Sequence, residues 1–223
     1  MFIIYNFTMQ LIIESLKNLN ESDFFKKVNL HIHTNLSDGI LTPEEVIRKA
    51  KDTNLKLISI TDHNTVEAYK NNNYSNIDGL TIITGVEFDC WYKLNLLHIL
   101  GYGIDINNES INNICAKNLK GTKTDFVRFF NRRKAKDVIN AIKKANGIAV
   151  LAHPACCWSF NLKKMVKELK LFGLDGIEVY YPYIGHRKII KFYSISQIRK
   201  IADELELLTT GGTDCHGMDL SGR

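Results

Sequence analysis

Apolar and polar positions alternate along the chain in two rhythms. Short apolar runs at 28–33, 56–61, 80–86, 96–102, 147–152, 175–180 and 206–211 read as strands. Between several of them apolar residues recur at helical spacing, over Lys134–Asn146, Asn161–Phe172 and Ile189–Leu205. Another helix opens at "TPEEVIRKAKDTN", where Thr42 is the cap, Pro43 fills the first turn and Glu45 completes a capping box. The Asn-rich run 71–73 reads as a surface loop. Near the N-terminus Leu11, Ile12, Leu16 and Leu19 predict an amphipathic helix, in an extension over 1–27 that packs on a main domain of 28–223. Strands that are apolar on both faces and alternate with helices predict an α/β fold with a mainly parallel, seven-stranded sheet.

Polar residues interrupt this pattern in a consistent way. In "VNLHIHTNLSDG", His31 and His33 share one face of the first strand, while Leu30 and Ile32 occupy the other. Asp62 and His63 follow the second strand, Glu87 ends the third, and His153 follows the fifth. Asp214, Cys215 and His216 follow the seventh, and only His98 falls inside a strand, the fourth. Parallel strands closed into a barrel carry their C-terminal ends to one mouth, so barrel-like closure is the expected arrangement. Imidazoles and carboxylates buried together at that density need compensation. Divalent cations supply it, since His nitrogen and carboxylate oxygen suit Zn²⁺, Mn²⁺ and Fe²⁺ alike, and so many donors imply more than one ion.

Composition narrows the partners. At 223 residues the chain can bury one sizeable core, and its 45% hydrophobic content excludes a disordered or fibrous class. A net charge of +5 favours an anionic ligand. The five cysteines form no C-x-x-C pair and read as reduced thiols of a cytoplasmic protein. The first residues carry neither a basic n-region nor a cleavage site, which predicts no export and no membrane span. No G-x-S-x-G or P-loop occurs, so neither a serine nucleophile nor a nucleotide-binding loop is expected. Nothing points to an obligate protein partner.

"HIHTNLSDG", "TDHNT", "GVEF", "LAHP" and "GGTDCHG", in this order between about 28 and 217, closely resemble the motifs of the polymerase-and-histidinol-phosphatase (PHP) family. The resemblance implies a distorted, TIM-like (βα)7 barrel holding three divalent metals at its mouth. Carried over by position, His31, His33, Glu87 and Asp214 would hold the first metal. Glu87 would bridge to a second metal, completed by His98 and His153. Asp38, His63 and His216 would hold the third, with Asp62 behind them orienting a ligand imidazole. A hydroxide bridging two metals would attack phosphorus in line, which puts Glu87 and Asp214 at the reacting centre.

The substrate implied is a phosphate ester of a nucleotide or a short nucleic-acid end. A histidinol-phosphate or sugar-phosphate monoesterase is the alternative enzyme, and a non-catalytic, metal-stabilised binding module the alternative class. Arg132 and Arg133 in "FNRRKAKD", with His186 and Arg187 in "YYPYIGHRK", are candidates to grip the phosphate. Members of the family often carry a long helical insertion after the fourth strand, whereas about forty residues separate Gly103 from Gly147 here, so the resemblance implies a small cap and an open site.

Overall fold

The computed structural model describes residues 2–220 apart from 25, 71–73, 75–76, 78, 131 and 183–191; side chains of the first helix are described from Gln10 onward. Seven strands, β1 Val28–Ile32, β2 Leu57–Ile60, β3 Thr81–Tyr92, β4 Asn95–Tyr102, β5 Ile148–Leu151, β6 Gly176–Tyr180 and β7 Leu208–Gly211, lie side by side in chain order. Neighbours run parallel except β4, which is antiparallel to both β3 and β5. The sheet is therefore mainly parallel, as the pattern predicts, with one reversal.

That reversal comes from β3, which does not end at Glu87. Buried Phe88, Cys90 and Tyr92 continue its alternation, and the chain turns only at Lys93 and Leu94, with Lys93 at φ +54°. The returning β4 sets His98 directly opposite Asp89. His98 lies inside its strand because that strand approaches the mouth from the other direction.

The sheet curls until its ends meet. Among the described residues β1 and β7 share no ladder, but the segment after β7 comes back to β1. The His33 amide donates to the Cys215 carbonyl (2.9 Å). Buried Asn29 ties the same seam: its Nδ2 donates to Thr213 Oγ1 (2.7 Å) and the Leu220 carbonyl (3.0 Å), and its Oδ1 accepts from the Thr213 amide (3.0 Å). A Cβ at Gly212 would collide with the His31 backbone nitrogen and Cβ, so only glycine permits this approach.

Helices cover the outside. Pro43–Asp52 forms with both capping-box bonds in place, Thr42 N to Glu45 Oε2 (2.8 Å) and Glu45 N to Thr42 Oγ1 (3.2 Å), and it buries Val46, Ile47 and Ala50. Ala135–Lys144 and Leu162–Leu171 fall where expected, the second capped by Asn161. The helix expected over Ile189–Leu205 runs instead from Ile195 to Glu204. Ser194 and Gln197 form a reciprocal capping box that sets its start, overriding the apolar periodicity upstream. Its first three expected residues, like the run 71–73, lie outside the described ones.

Between β4 and Ala135 stand three short helices, Glu109–Ile114, Lys120–Lys123 and Asp125–Phe130, which make the small cap. The N-terminal helix Phe2–Lys17 buries Leu16 and sets Ile12 against Gly103, whose φ of +65° marks the bend after β4. Among the described residues no helix is long and apolar enough to cross a membrane.

Asn29→Ala removes the three bonds by which this side chain ties β1 to Thr213 and Leu220 in the closing seam. It is expected to destabilise the fold by about 2–3 kcal/mol, read from urea unfolding, with no change in secondary-structure content.

Candidate metal centre

His31 of β1 and His33 just beyond it are fully buried, with their Nε2 atoms 3.1 Å apart. Glu87 Oε2, from β3, lies 3.3 Å from the His31 Nε2 and 3.2 Å from that of His33. Asp214 Oδ1, just beyond β7, lies 3.4 Å and 3.0 Å from the same nitrogens. Donors held at about 2.0–2.1 Å around a tetrahedral ion are about 3.4 Å from one another, close to the separations here. The other Glu87 oxygen, Oε1, faces His98 Nδ1 (3.0 Å) and His153 Nε2 (3.3 Å). Asp38 Oδ1 lies 3.2 Å from His216 Nε2, and its Oδ2 lies 3.7 Å from His63 Nε2.

The donor atoms fall into three overlapping groups that could each hold an ion: His31, His33, Glu87 and Asp214; His63, Glu87 and His98; His33, Asp38, His63 and His216. These groups contain every candidate ligand except His153, which joins none of them and stands beside the centre with Nε2 3.3 Å from Glu87 Oε1. The structure also carries His63 to within 3.3 Å of Glu87 Oε2, so His63 faces two groups rather than one.

Hydrogen bonds alone do not satisfy this arrangement. Glu87 Oε2 and Asp38 Oδ1 are buried without a hydrogen-bond partner, and two ring nitrogens confront each other across the gap. Divalent cations fit the donor set. Burial alone would lower the imidazole pKa values, but Glu87, Glu178 and Asp214 hold His31 well above its ordinary value. Asp214 and Glu87 likewise outweigh burial and raise His33 to about 9. Glu87 and Asp89 do the same for His98, which rises to about 10. At His63 burial wins, and its pKa is lowered to about 3 with His33 and Arg128 beside it. Burial opposes ionisation of Glu87 and Asp214, yet the surrounding imidazoles hold both well below the usual carboxylate range.

Four of the imidazoles, those of His31, His63, His98 and His216, are met from behind. Glu178, fully buried in β6, accepts from His31 Nδ1 (3.1 Å) and from the His153 amide (2.8 Å). Asp89 meets His98 Nε2 at 3.1 Å and lies 3.6 Å from His63 Nδ1, while Asn64 clasps the Asp89 carboxylate and amide. His216 Nδ1 donates to the Asp214 carbonyl (2.8 Å). Such outer contacts fix the tautomer and leave the other nitrogen for an ion. His153 and Asp214 adopt positive φ, +26° and +50°, a strained backbone that the surrounding bonds hold in place.

Several of these residues were not picked out by motif. Asp89 shares a strand face with Glu87 in the same i, i+2 relation as His31 and His33, and Glu178 is a lone charge inside an apolar strand. Both signals were present. Asp62 does not touch an imidazole: it accepts from the Thr34 amide (2.7 Å), Thr34 Oγ1 (2.6 Å) and Ser37 Oγ (2.6 Å). It pins the turn after β1 and reaches His33 only through Ser37, whose hydroxyl is 3.4 Å from Nδ1.

A cavity of about 270 Å³ opens above the donors, lined also by Arg128, Cys156 and Tyr181, whose hydroxyl donates to Asp214 Oδ2 (2.8 Å). Arg132 is exposed, Arg133 Nε donates to the Ile114 carbonyl (2.7 Å), and neither lines this cavity. The arginine at the mouth is Arg128, from the helix Asp125–Phe130, 2.9 Å from Asp38 Oδ2. Nothing in its "DFVRFF" context distinguishes it by sequence. His186 and Arg187 lie outside the described residues. Cys156 belongs to none of the donor groups, and Cys215 is buried with Sγ 2.9 Å from the Asp219 carbonyl.

Two outcomes are expected. Glu178→Gln keeps the fold but weakens metal affinity roughly 10- to 100-fold, measured by chelator competition alongside circular dichroism. Without an ion, His33 and His98, at about 9 and about 10, carry protons at neutral pH that an ion must expel. Metal uptake therefore releases protons, and affinity rises with pH toward those values, as calorimetry in buffers of different ionisation enthalpy will show.

Comparison with known proteins agrees with this geometry. The PHP domain family model matches residues 29–205. The 5′-3′ exoribonuclease Rnm of Salmonella typhimurium is 30% identical over 102 residues, covering 44% of this chain and 35% of that protein; the chain thus spans about a third of that relative's length. A phosphoribosyl 1,2-cyclic phosphate 1,2-diphosphodiesterase of Eggerthella lenta is 21% identical, over 85% of this chain and 94% of its own. A structure described as an amidohydrolase from Chromobacterium violaceum, with bound sulfate, superposes at a TM-score of 0.70 with 20% identity, covering 86% of this chain and 88% of its own. The chain belongs to the PHP domain family.

Proposed function

We infer that the chain hydrolyses a phosphate ester of a nucleotide or of a short nucleic-acid end. One observation carries the reading: the buried Glu87 carboxylate, with one oxygen facing His98 and His153 and the other facing His31, His33 and His63, is placed to join two cation sites. His31, His33 and Asp214 complete the first of these; His98, His153 and His63 surround the second; Asp38 and His216 extend the set toward a third. Divalent ions bound there supply Lewis-acid polarisation of the phosphoryl oxygens and a water of lowered pKa.

The chain's own residues do the rest. Glu178 and Asp89 keep His31 and His98 in single tautomers with one nitrogen turned inward. Tyr181 holds Asp214 by its outer oxygen, leaving Oδ1 toward His31 and His33. Arg128 offers a guanidinium at the cavity wall for a phosphoryl oxygen, fixed in place by Asp38 and Asp125. The mild excess of positive charge over the whole chain favours approach of an anion.

The curated relatives support this substrate class. Beside the exoribonuclease, a 3′,5′-nucleoside bisphosphate phosphatase of Chromobacterium violaceum is 34% identical over 79 residues, 35% of this chain and 28% of that protein. A second reading, a small sugar-phosphate esterase, is favoured by the diphosphodiesterase of Eggerthella lenta, whose alignment covers most of both chains. The cysteines, none of them in a disulfide, fit a reducing, cytoplasmic setting.

The test is product release by manganese- or zinc-loaded protein from a nucleoside 3′,5′-bisphosphate, a 5′-phosphorylated oligoribonucleotide, histidinol phosphate and ribose 5-phosphate. Asp214→Asn is expected to keep its fold and lose activity by on the order of a thousandfold. Full activity in that variant, or preference for the phosphates that lack a base, overturns the reading.

A further inference from the structure

The metal mouth does not end at its donors. His98, His153 and Cys156 also line a second groove, of about 450 Å³, whose other walls include Trp91, Leu94, Phe129 and Trp158. That volume lies within the range of small-molecule sites, roughly 300–1,000 Å³. The chain has two tryptophans, and both stand in this groove. Trp91 meets Phe129 edge-on at 5.1 Å and is anchored by its indole N–H on the Phe129 carbonyl (3.3 Å). Trp158 is 76% exposed, with Phe192 edge-on behind it at 6.0 Å. Large aromatic surface left open beside a catalytic mouth is not needed for packing.

Beyond Trp158 the groove continues. A third hollow of about 470 Å³ shares Leu94, Asn95 and Trp158 and adds Lys93, Phe160 and Lys164. The Phe160 side chain is wholly exposed. Flat aromatic faces spaced along a channel that leads from a phosphate-cleaving centre, with ammonium groups beside them, have the composition of a single-strand binding track. A lipid chain would leave Asn95 and the lysines unused.

The geometry points to an aromatic track that seats the bases of a single-stranded nucleic-acid end, the first between Trp91, Phe129 and Trp158, the next beyond Trp158 against Phe160. This deepens the hydrolase reading and rests on it for the direction of the strand toward the mouth. Stacking on exposed aromatic faces tolerates any base, so selection is for a flat base and a following nucleotide, not for a sequence.

The test compares the metal-loaded wild type with Trp158→Ala, Trp158→Phe and Phe160→Ala, all at exposed positions that do not hold the core. Substrates are a 5′-phosphorylated trinucleotide, a nucleoside 3′,5′-bisphosphate and ribose 5-phosphate. Trp158→Ala is expected to lower kcat/KM about tenfold or more on both nucleotides, mainly through KM, to leave ribose 5-phosphate unchanged, and to be rescued by Phe. Phe160→Ala should remove only the advantage of the trinucleotide. Equal losses on all substrates, or no loss on any, overturn the track while leaving the hydrolase intact. Tryptophan fluorescence separates the two claims. If no ester is turned over but the trinucleotide quenches emission in the wild type and not in Trp158→Ala, the track stands and the hydrolase falls. Absence of both quenching and a Trp158 effect removes the track.

Discussion

Glu87 is 1% exposed, and its two oxygens face five imidazoles. A carboxylate so deeply buried is tolerable only if positive charge stands against it. Protons on His31, His33 and His98 can supply that charge, and so can divalent ions, but neither set of neighbours leaves room for both on the same nitrogens. A divalent ion bound here would therefore displace those protons. The segment that closes the sheet lies beside it: Gly212 presses on His31, the Cys215 carbonyl receives the His33 amide, and Asp214 reaches into the donor set. Closure of the fold and assembly of the site are one event, and an ion bound there adds its affinity to the stability of the folded chain.

Where Glu87 sits follows from the strand that carries it. β3 runs five residues past it to Tyr92, and the tight return through Lys93 lays β4 alongside. A crossover through a helix would have brought the next strand in parallel, with no residue opposite Asp89. The hairpin puts His98 in register with that acid, so β3 and β4 together deliver a bridging carboxylate, an imidazole and the acceptor that orients it. The same extension carries Trp91 above the mouth, where it joins Phe129.

Much of this was legible in the chain. The apolar runs mark all seven strands, and residues with metal-binding chemistry at their ends mark the mouth, because parallel strands impose one direction on every terminus. Thr42 and Glu45 announce a helix, and Ser194 and Gln197 announce another just as clearly, though apolar spacing upstream of Ser194 is the louder pattern. What does not read out is whatever depends on pairing. Nothing local says that β4 reverses, since its alternation is the same in either direction. Glu178 looks like a lone charge until β1 brings His31 to it, and Arg128 looks like one more surface cation until Asp38 and Asp89 surround it. Arg132 and Arg133 were the better candidates on density of charge alone, yet one points to solvent and the other serves the Ile114 carbonyl.

The choice of Arg128 over its neighbours has a physical reason. An arginine at the mouth is held between two carboxylates that are themselves turned toward imidazoles, so its guanidinium cannot swing out to water without unpairing Asp38. Arg132 has no such constraint. A phosphoryl group entering the cavity thus meets a cation already fixed in place, and loses little to side-chain ordering. On the far side of His98 and His153 the lining changes at once to Trp, Phe and Leu. The surface around the centre therefore changes from fixed positive charge at the mouth to mainly aromatic and aliphatic faces beyond it. In the proposed reading a nucleotide fits that change of lining, its phosphate at the mouth and its flat base against the aromatic walls.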